Sequence, residues 1–319
     1  MTARYGTAEP AAFGRRRPRP ACVEARAMRS HGRAAYRPSF ARPPLGPFPG
    51  GARLALHVIV NVEVWDYERP MPRTALPPPA AGAPIVPDVP NFAWYQYGQR
   101  VGIWRLFDTL AKHGVRGTLS INSSLCREYP QTVERAVADG WEMMAHGVVQ
   151  RTMVTVDDER AVIAEALDEL ERATGKRPRG WLGPALVETP QTLDFLAEAG
   201  LDYCCDWGPA DDLPYDLDVA ARRMIAIPYP VETNDIVVYA VERHGAEELY
   251  ARCAAALETL HDESAIEPRI LPIALHPYLT GTATRIAVLD RILALARERY
   301  GAVALTAAEL TDWYVAQTS

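Results

Sequence analysis

Residues 115–145 read VRGTLSINSSLCREYPQTVERAVADGWEMMA. The segment opens on an apolar strand at 115–121 and passes into a helix whose first residue is Pro130. Proline is tolerated there because its missing N–H would find no partner in the first turn. The helix stops at Gly140, and a second short strand follows at 141–145. A strand, a helix and a strand in this order make a βαβ unit, and such units build parallel sheets.

The alternation continues in both directions. Strands are expected at 53–60, 201–205, 224–228, 236–241, 270–275 and 302–305. Helices are expected at 101–112, 157–174, 190–200, 246–262 and 284–299, with Thr306 and Glu309 forming a capping box for the last one. The run RLALHVIV at 53–60 is nearly all apolar, as a strand covered on both faces must be. The pattern predicts an α/β fold, a distorted (β/α) barrel of about seven parallel strands, with an open doubly wound sheet as the alternative. Neither G-x-G-x-x-G after the first strand nor G-x-x-x-x-G-K-[ST] occurs, so nucleotide-binding versions of the open sheet lose support. The Pro-rich stretch from Asp66 to about Tyr97 is expected to be irregular. Its aromatic second half (Phe92, Trp94, Tyr95, Tyr97) reads as a loop closing over a small planar ligand, or as a subunit contact.

The chain has 319 residues and a net charge of −6. Residues 1–50 hold ten arginines against two acids, Glu9 and Glu24, so a basic head precedes an acidic body. The head is read as a disordered extension, and a nucleic-acid arm or a transit peptide are the other readings. The barrel domain is expected over 51–319. An acidic body argues against nucleic acid as a partner, and no apolar run is long enough for a membrane helix. Five cysteines without a C-x-x-C pair, and no secretory signal, point to the cytoplasm.

In such barrels the active site lies at the C-terminal ends of the strands. The residues just past the expected strands are Asn61 and Glu63, Asn122, His146, Asp206 and His276. Glu63, His146 and His276 are general bases, acids or metal ligands by type. Cys204 and Cys205 read as small buried residues, and His57 as a core histidine.

Several segments resemble the polysaccharide deacetylase (NodB homology) superfamily, and in particular its cyclic imide hydrolases and metal-independent allantoinases. They are Asn61-Val62-Glu63-Val64-Trp65, PDVPNFAWYQYGQRVGIWR, Ala145-His146-Gly147, RPRGWLGPALVETPQTLDFLAEAGLDYCCDW and Leu275-His276-Pro277. The metal-dependent members resemble T-F-D-D-G in the first motif and H-x-x-x-H in the second. Here Val64 and Trp65 follow Glu63, and Gln150 stands four residues after His146. Only Glu63 and His146 remain as ligands, with Asp66 or Glu68 as a third carboxylate, whereas a zinc site normally draws three from the protein. The resemblance therefore implies a hydrolase that opens a cyclic amide without a cofactor, a weakly held zinc-like ion being the exception. Glu63 would be the base and His276 the acid. His146, Trp65, Tyr97, Arg100, Trp181, Gly183, Pro184, Asn234 and Asp235 would line the substrate, with a backbone N–H of the Gly180–Pro184 turn facing the oxyanion. A small-molecule substrate and a homo-oligomer, a tetramer, are implied. The other readings are a metal-dependent deacetylase of N-acetylated sugars and a barrel that binds without catalysing.

Overall fold

In the computed structural model, residues 32–34, 42–77 and 85–319 are described. The strands are β1 (Leu54–Val62), β2 (Thr118–Ile121), β3 (Glu142–Ala145), β4 (Gly180–Trp181), β5 (Tyr203–Cys204), β6 (Tyr215–Leu217), β7 (Met224–Ala226), β8 (Arg269–Leu275) and β9 (Val303–Ala304). They form one sheet in the order β6-β7-β5-β4-β3-β2-β1-β8. Every pairing is parallel except β6 with β7. One edge of β1 is shared: β9 pairs with Ala55 and Leu56, and β2 with residues from Ile59 onward. A parallel bridge from Asn234 to Ala274 of β8 ties the segment after β7 to the far edge, so the sheet curls into a distorted barrel as expected.

Parity along the strands separates two cores, because successive side chains point to opposite faces. From β1, Leu54, Leu56, Val58, Val60 and Val62 pack outward under the helices. Ala55 and Ile59 point inward, with Met144, Tyr203, Ile225, Ile227, Ile270 and Ala274. Leu305, Leu310, Trp313 and Phe48 extend this inner cluster at the β9 end, where the strands begin. The outer shell includes α2 (Ile103–Lys112), α4 (Pro130–Ala138), α5 (Glu159–Thr174), α7 (Ala246–Glu263) and α8 (Ala283–Ala294). Asp158 caps α5 by accepting from Ala161 N, and Gly175 ends it at φ +73°. The reciprocal capping box of Thr306 and Glu309 starts α9 (Ala307–Thr318).

Three expectations are corrected. Residues 236–241 form a π-helical turn, not a strand. The Asn234 side chain accepts from Ile236 N (3.0 Å) and opens a helical turn, which overrides the β-branched run IVVYAV. The stretch expected to be irregular contains α1 (Val89–Tyr97), capped by Asp88 with Pro90 in its first turn. Residues 42–50 belong to the folded body: Phe48 is buried against Trp313, and Trp313 Nε1 donates to Pro47 O (3.0 Å). Of the rest of the proposed disordered head, Arg33 donates to Asp194 (3.0 Å) and Ala34 bridges Leu217, while residues 1–31 and 35–41 lie outside the described residues.

His57 sits fully buried in the barrel, with Nδ1 bonded to Leu305 O (3.1 Å) and Nε2 without a partner. Burial pushes its pKa down to about 4 from 6.5. As pH falls through 6.5 the unfolded chain takes up a proton that the folded chain refuses until about 4, so stability is lost across that window. His57→Gln removes this titration. Urea unfolding at about pH 7 and about pH 4.5 should show the wild type losing roughly 2 kcal/mol more than the variant. Parallel losses would assign the acid sensitivity to other groups.

Candidate active site

The inward parity of β1, β3 and β8 continues past the strand ends and brings Asn61, Glu63, His146 and His276 to one cavity. It measures about 140 Å³, and its wall also includes Arg73, Gln150, Leu182, Gly183, Tyr229 and Asn234. Glu63 is buried, and Oε2 accepts from Trp65 Nε1 (2.6 Å) and from the Tyr278 hydroxyl (3.0 Å). Its backbone carbonyl accepts from Gln99 Nε2 (2.9 Å). No arginine pairs with Glu63 among the described residues. Oε1 is left facing His276 Nε2 at 3.8 Å. That is too far for a hydrogen bond and leaves room for a water bonded to both.

His276 is held from behind. Asp235 is fully buried, and its Oδ1 accepts a hydrogen bond from Nδ1–H of His276 (2.7 Å). Asp235 Oδ2 accepts from the His276 backbone N–H (2.8 Å) and the Thr280 hydroxyl (2.6 Å). These bonds fix the ring and the tautomer, and they aim Nε2 into the cavity. His146 has the opposite character. Its Nδ1 is bonded to Leu182 O, and burial lowers its pKa, outweighing the raising effect of the Glu63 charge. It stays a neutral imidazole whose Nε2 is an acceptor.

Asn61 and Gln150 each present a buried amide oxygen without a partner. The Asn61 orientation is set by its Nδ2, which donates to Leu275 O (3.3 Å) and to the Tyr229 hydroxyl (3.0 Å). Burial keeps Tyr229 protonated by raising its pKa. The cavity therefore offers three acceptors, one carboxylate oxygen and one histidine nitrogen poised to carry a proton.

The structure brings some of the expected residues to the cavity and places others elsewhere. Gly183 and Asn234 line the cavity, while Pro184 is buried beside them. Asp235 touches His276 in place of a substrate. Trp65 is buried, stacks on Tyr95 at 4.9 Å and lies behind Glu63, so it positions the carboxylate and forms no wall. The aromatic segment is helical packing, not a lid: Trp94 Nε1 donates to Tyr278 O (2.9 Å), and Tyr95 is buried. Tyr97 is turned to Arg105, whose guanidinium donates to its hydroxyl (2.6 Å), and Arg100 is exposed. Neither borders the cavity. Trp181 is a fully buried core residue. The Gly183 N–H is spent on Asp206 Oδ1 (2.7 Å) and is not free for an oxyanion. Asn122 ties strand ends together, accepting from Val64 N (2.8 Å) and donating to His146 O.

Tyr229 and Tyr278 were not anticipated. Tyr229 follows the inward parity of Ile225 and Ile227, so that signal was present. Tyr278 lies beyond the end of β8, where parity carries no information.

The donor set does not fit a catalytic metal. Glu63, His146 and His276 are the ligand types at the cavity, but among the described residues their ligand atoms do not all come within 4.8 Å of one another, and Glu63 Oε2 is already capped by two donors. Val64 is buried outward and Gln150 supplies an amide. Asp66 is exposed, bonded to Glu68 N and paired with Arg69. A separate trio, Glu188, Cys204 and Asp206, brings ligand atoms within 4.8 Å of one another behind Gly183. Burial raises both carboxyl groups there, Asp206 most, and pushes the Cys204 thiol well above its usual range. Glu188 is held by Trp207 Nε1 (2.9 Å).

Residues 94–204 match the sequence profile of the polysaccharide deacetylase family. A Schizosaccharomyces pombe protein named "Putative polysaccharide deacetylase" is 25% identical over 276 residues, covering 77% of this chain and 85% of that protein. The crystal structure of PuuE allantoinase superposes with a TM-score of 0.77 at 25% identity, covering 87% of this chain and 96% of that one. A "probable Polysaccharide deacetylase" from Pseudomonas aeruginosa PAO1 superposes with a TM-score of 0.77 at 27% identity, covering 88% and 97%. Among the described residues no helix is long and apolar enough to cross a membrane. With its curled parallel sheet and the family profile over residues 94–204, the chain is similar to the polysaccharide deacetylase (NodB homology) superfamily, and these likenesses indicate a hydrolase of carbon–nitrogen bonds.

Proposed function

We propose that this chain opens small cyclic amides (imides, hydantoins or allantoin-like rings) by hydrolysis, without a tightly held metal. The observation that carries this reading is the 3.8 Å gap between Glu63 Oε1 and His276 Nε2, backed by Asp235, in a cavity of about 140 Å³. A space of that size suits a single planar ring better than linked sugars. The unpaired amide oxygen of Asn61, and the Gln150 amide beside His146, suit the N–H groups of an amide or ureido ring. Likeness to an allantoinase supports the same substrate class.

In this mechanism Glu63 takes a proton from the water in the gap as the water oxygen attacks the ring carbonyl. The C–N bond then breaks, and the His276 imidazolium gives its Nε2 proton to the departing nitrogen. Asp235 stabilises the imidazolium beforehand. Glu63 then passes its proton through a water to His276 Nε2, which restores the carboxylate and the imidazolium for the next cycle. The Tyr229 hydroxyl accepts from Asn61 and keeps its own proton for the developing oxyanion. Tyr229→Phe should therefore lower kcat on the order of 100-fold with a smaller change in KM; an unchanged kcat would remove Tyr229 from that role.

The reading itself is tested by ring opening of succinimide, dihydrouracil, hydantoin and allantoin in excess chelator. Turnover of at least one ring is expected. If no ring opens, and chitooligosaccharide is deacetylated once a divalent metal is restored, the chain is a metal-dependent deacetylase and the proposal is wrong.

A further inference from the structure

Arg73 stands apart from the other groups on the cavity wall. Its guanidinium is charged throughout, whereas the cavity's histidines change or lack charge: His276 gives up its proton in the proposed reaction and His146 is held neutral. It makes no hydrogen bond or ion pair with any described residue. Arginines elsewhere on the body pair readily, such as Arg179 with Asp202 and Asp312, or Arg252 with Glu242 and Glu248. Arg73 is also partly buried, against a wall that includes Leu182, Val231 and Ile236. A guanidinium in that setting loses hydration and gains nothing from the protein in return.

Its backbone is nevertheless held firmly. Asn91, itself buried, accepts from Ala75 N (2.7 Å) and Leu76 N (3.0 Å) and donates to Leu76 O (2.9 Å). Asp88 secures the same amide (2.8 Å). The segment two residues past Arg73 is thus pinned to the first turn of α1, which limits where the side chain can reach. The guanidinium shares the cavity wall with Glu63, and its charge opposes the effect of burial, which raises the pKa of the Tyr278 hydroxyl. Tyr278 in turn holds Glu63. An anion entering the site beside Glu63 would need a compensating positive charge at that place.

We propose that Arg73 is a carboxylate-binding subsite, and that the preferred substrate is a cyclic amide bearing a carboxylate on its ring or on a short side chain. The planar two-pronged donor set of arginine matches a carboxylate. This inference rests on the ring-opening function proposed above.

The test uses hydantoin-5-acetate and its neutral isostere hydantoin-5-acetamide. Binding is measured by calorimetry on Glu63→Gln, which leaves the ring intact, with and without Arg73→Gln. The carboxylate is expected to bind roughly 10–100-fold more tightly than the amide, and Arg73→Gln should erase that preference while the amide changes little. Arg73→Lys should restore part of it. Equal affinity for the two ligands, binding of neither, or a preference that survives Arg73→Gln would overturn the subsite. Turnover by the wild type is followed separately. A ring that is bound with carboxylate preference but never opened would sink the proposed function and leave the subsite standing.

Discussion

Glu63→Gln is expected to lose on the order of 1,000-fold or more in kcat on any ring that the wild type opens, with thermal stability close to unchanged. The size of the loss follows from the role. An amide cannot take a proton from water at neutral pH, so only the base is removed. The small effect on stability follows from the surroundings. Trp65 Nε1 and the Tyr278 hydroxyl both donate to Glu63 Oε2, and the amide oxygen of the replacement side chain would accept the same two bonds. Its amide nitrogen would face His276 across the gap now spanned by Oε1. The measurement is single-turnover ring opening beside a thermal melt. Retained turnover would mean that the attacking water is activated by another group, and the assignment of Glu63 would be wrong.

Asp235→Asn is expected to cost about 1,000- to 10,000-fold in kcat, with KM little altered. Asp235 receives three donors: Nδ1–H and the backbone N–H of His276, and the Thr280 hydroxyl. In the variant, the amide oxygen keeps the backbone and Thr280 bonds on the Oδ2 side. The amide NH₂ then points at Nδ1, which must become an acceptor. The ring proton moves to Nε2, and the negative charge behind the ring is gone. The imidazolium needed by the departing nitrogen is no longer stabilised. The pH–rate profile separates this from general loosening, because its shape should change along with kcat. Asp235→Ala, by contrast, also leaves Thr280 and the backbone N–H without their partner, and it should destabilise the fold. A variant with normal kcat and an unaltered profile would show that Asp235 is only structural.

The sequence carried the fold through local signals. Gly140 and Gly175 as helix stops, Pro130 as a first helical residue and the Thr306–Glu309 box all act over a few residues, so they can be read without tertiary structure. The apolar run at 53–60 likewise announced a strand covered on both faces. The misreadings arose where a side chain competed with the pattern around it. Asn234 bonds to Ile236 N and turns a β-like run into a helical turn. Asp88 and Pro90 start a helix inside a proline-rich stretch.

The site divides along the same line. Position just past the strand ends and residue type were enough to bring Glu63, His146 and His276 together, because the C-terminal ends of parallel strands share one end of the barrel. Parity would also have found Tyr229. What the sequence by itself determined is the barrel and the chemistry gathered at one end of it. Tertiary structure decided which groups act as partners: Asp235 behind His276, Trp65 and Tyr278 on Glu63, Asp206 on Gly183, and Arg73 left unpaired among the described residues. The physical reason is sequence separation. Asp235 and His276 are 41 residues apart, and Tyr278 and Glu63 are 215 apart. No local rule spans such distances, and only the curl of the sheet brings these atoms within bonding reach.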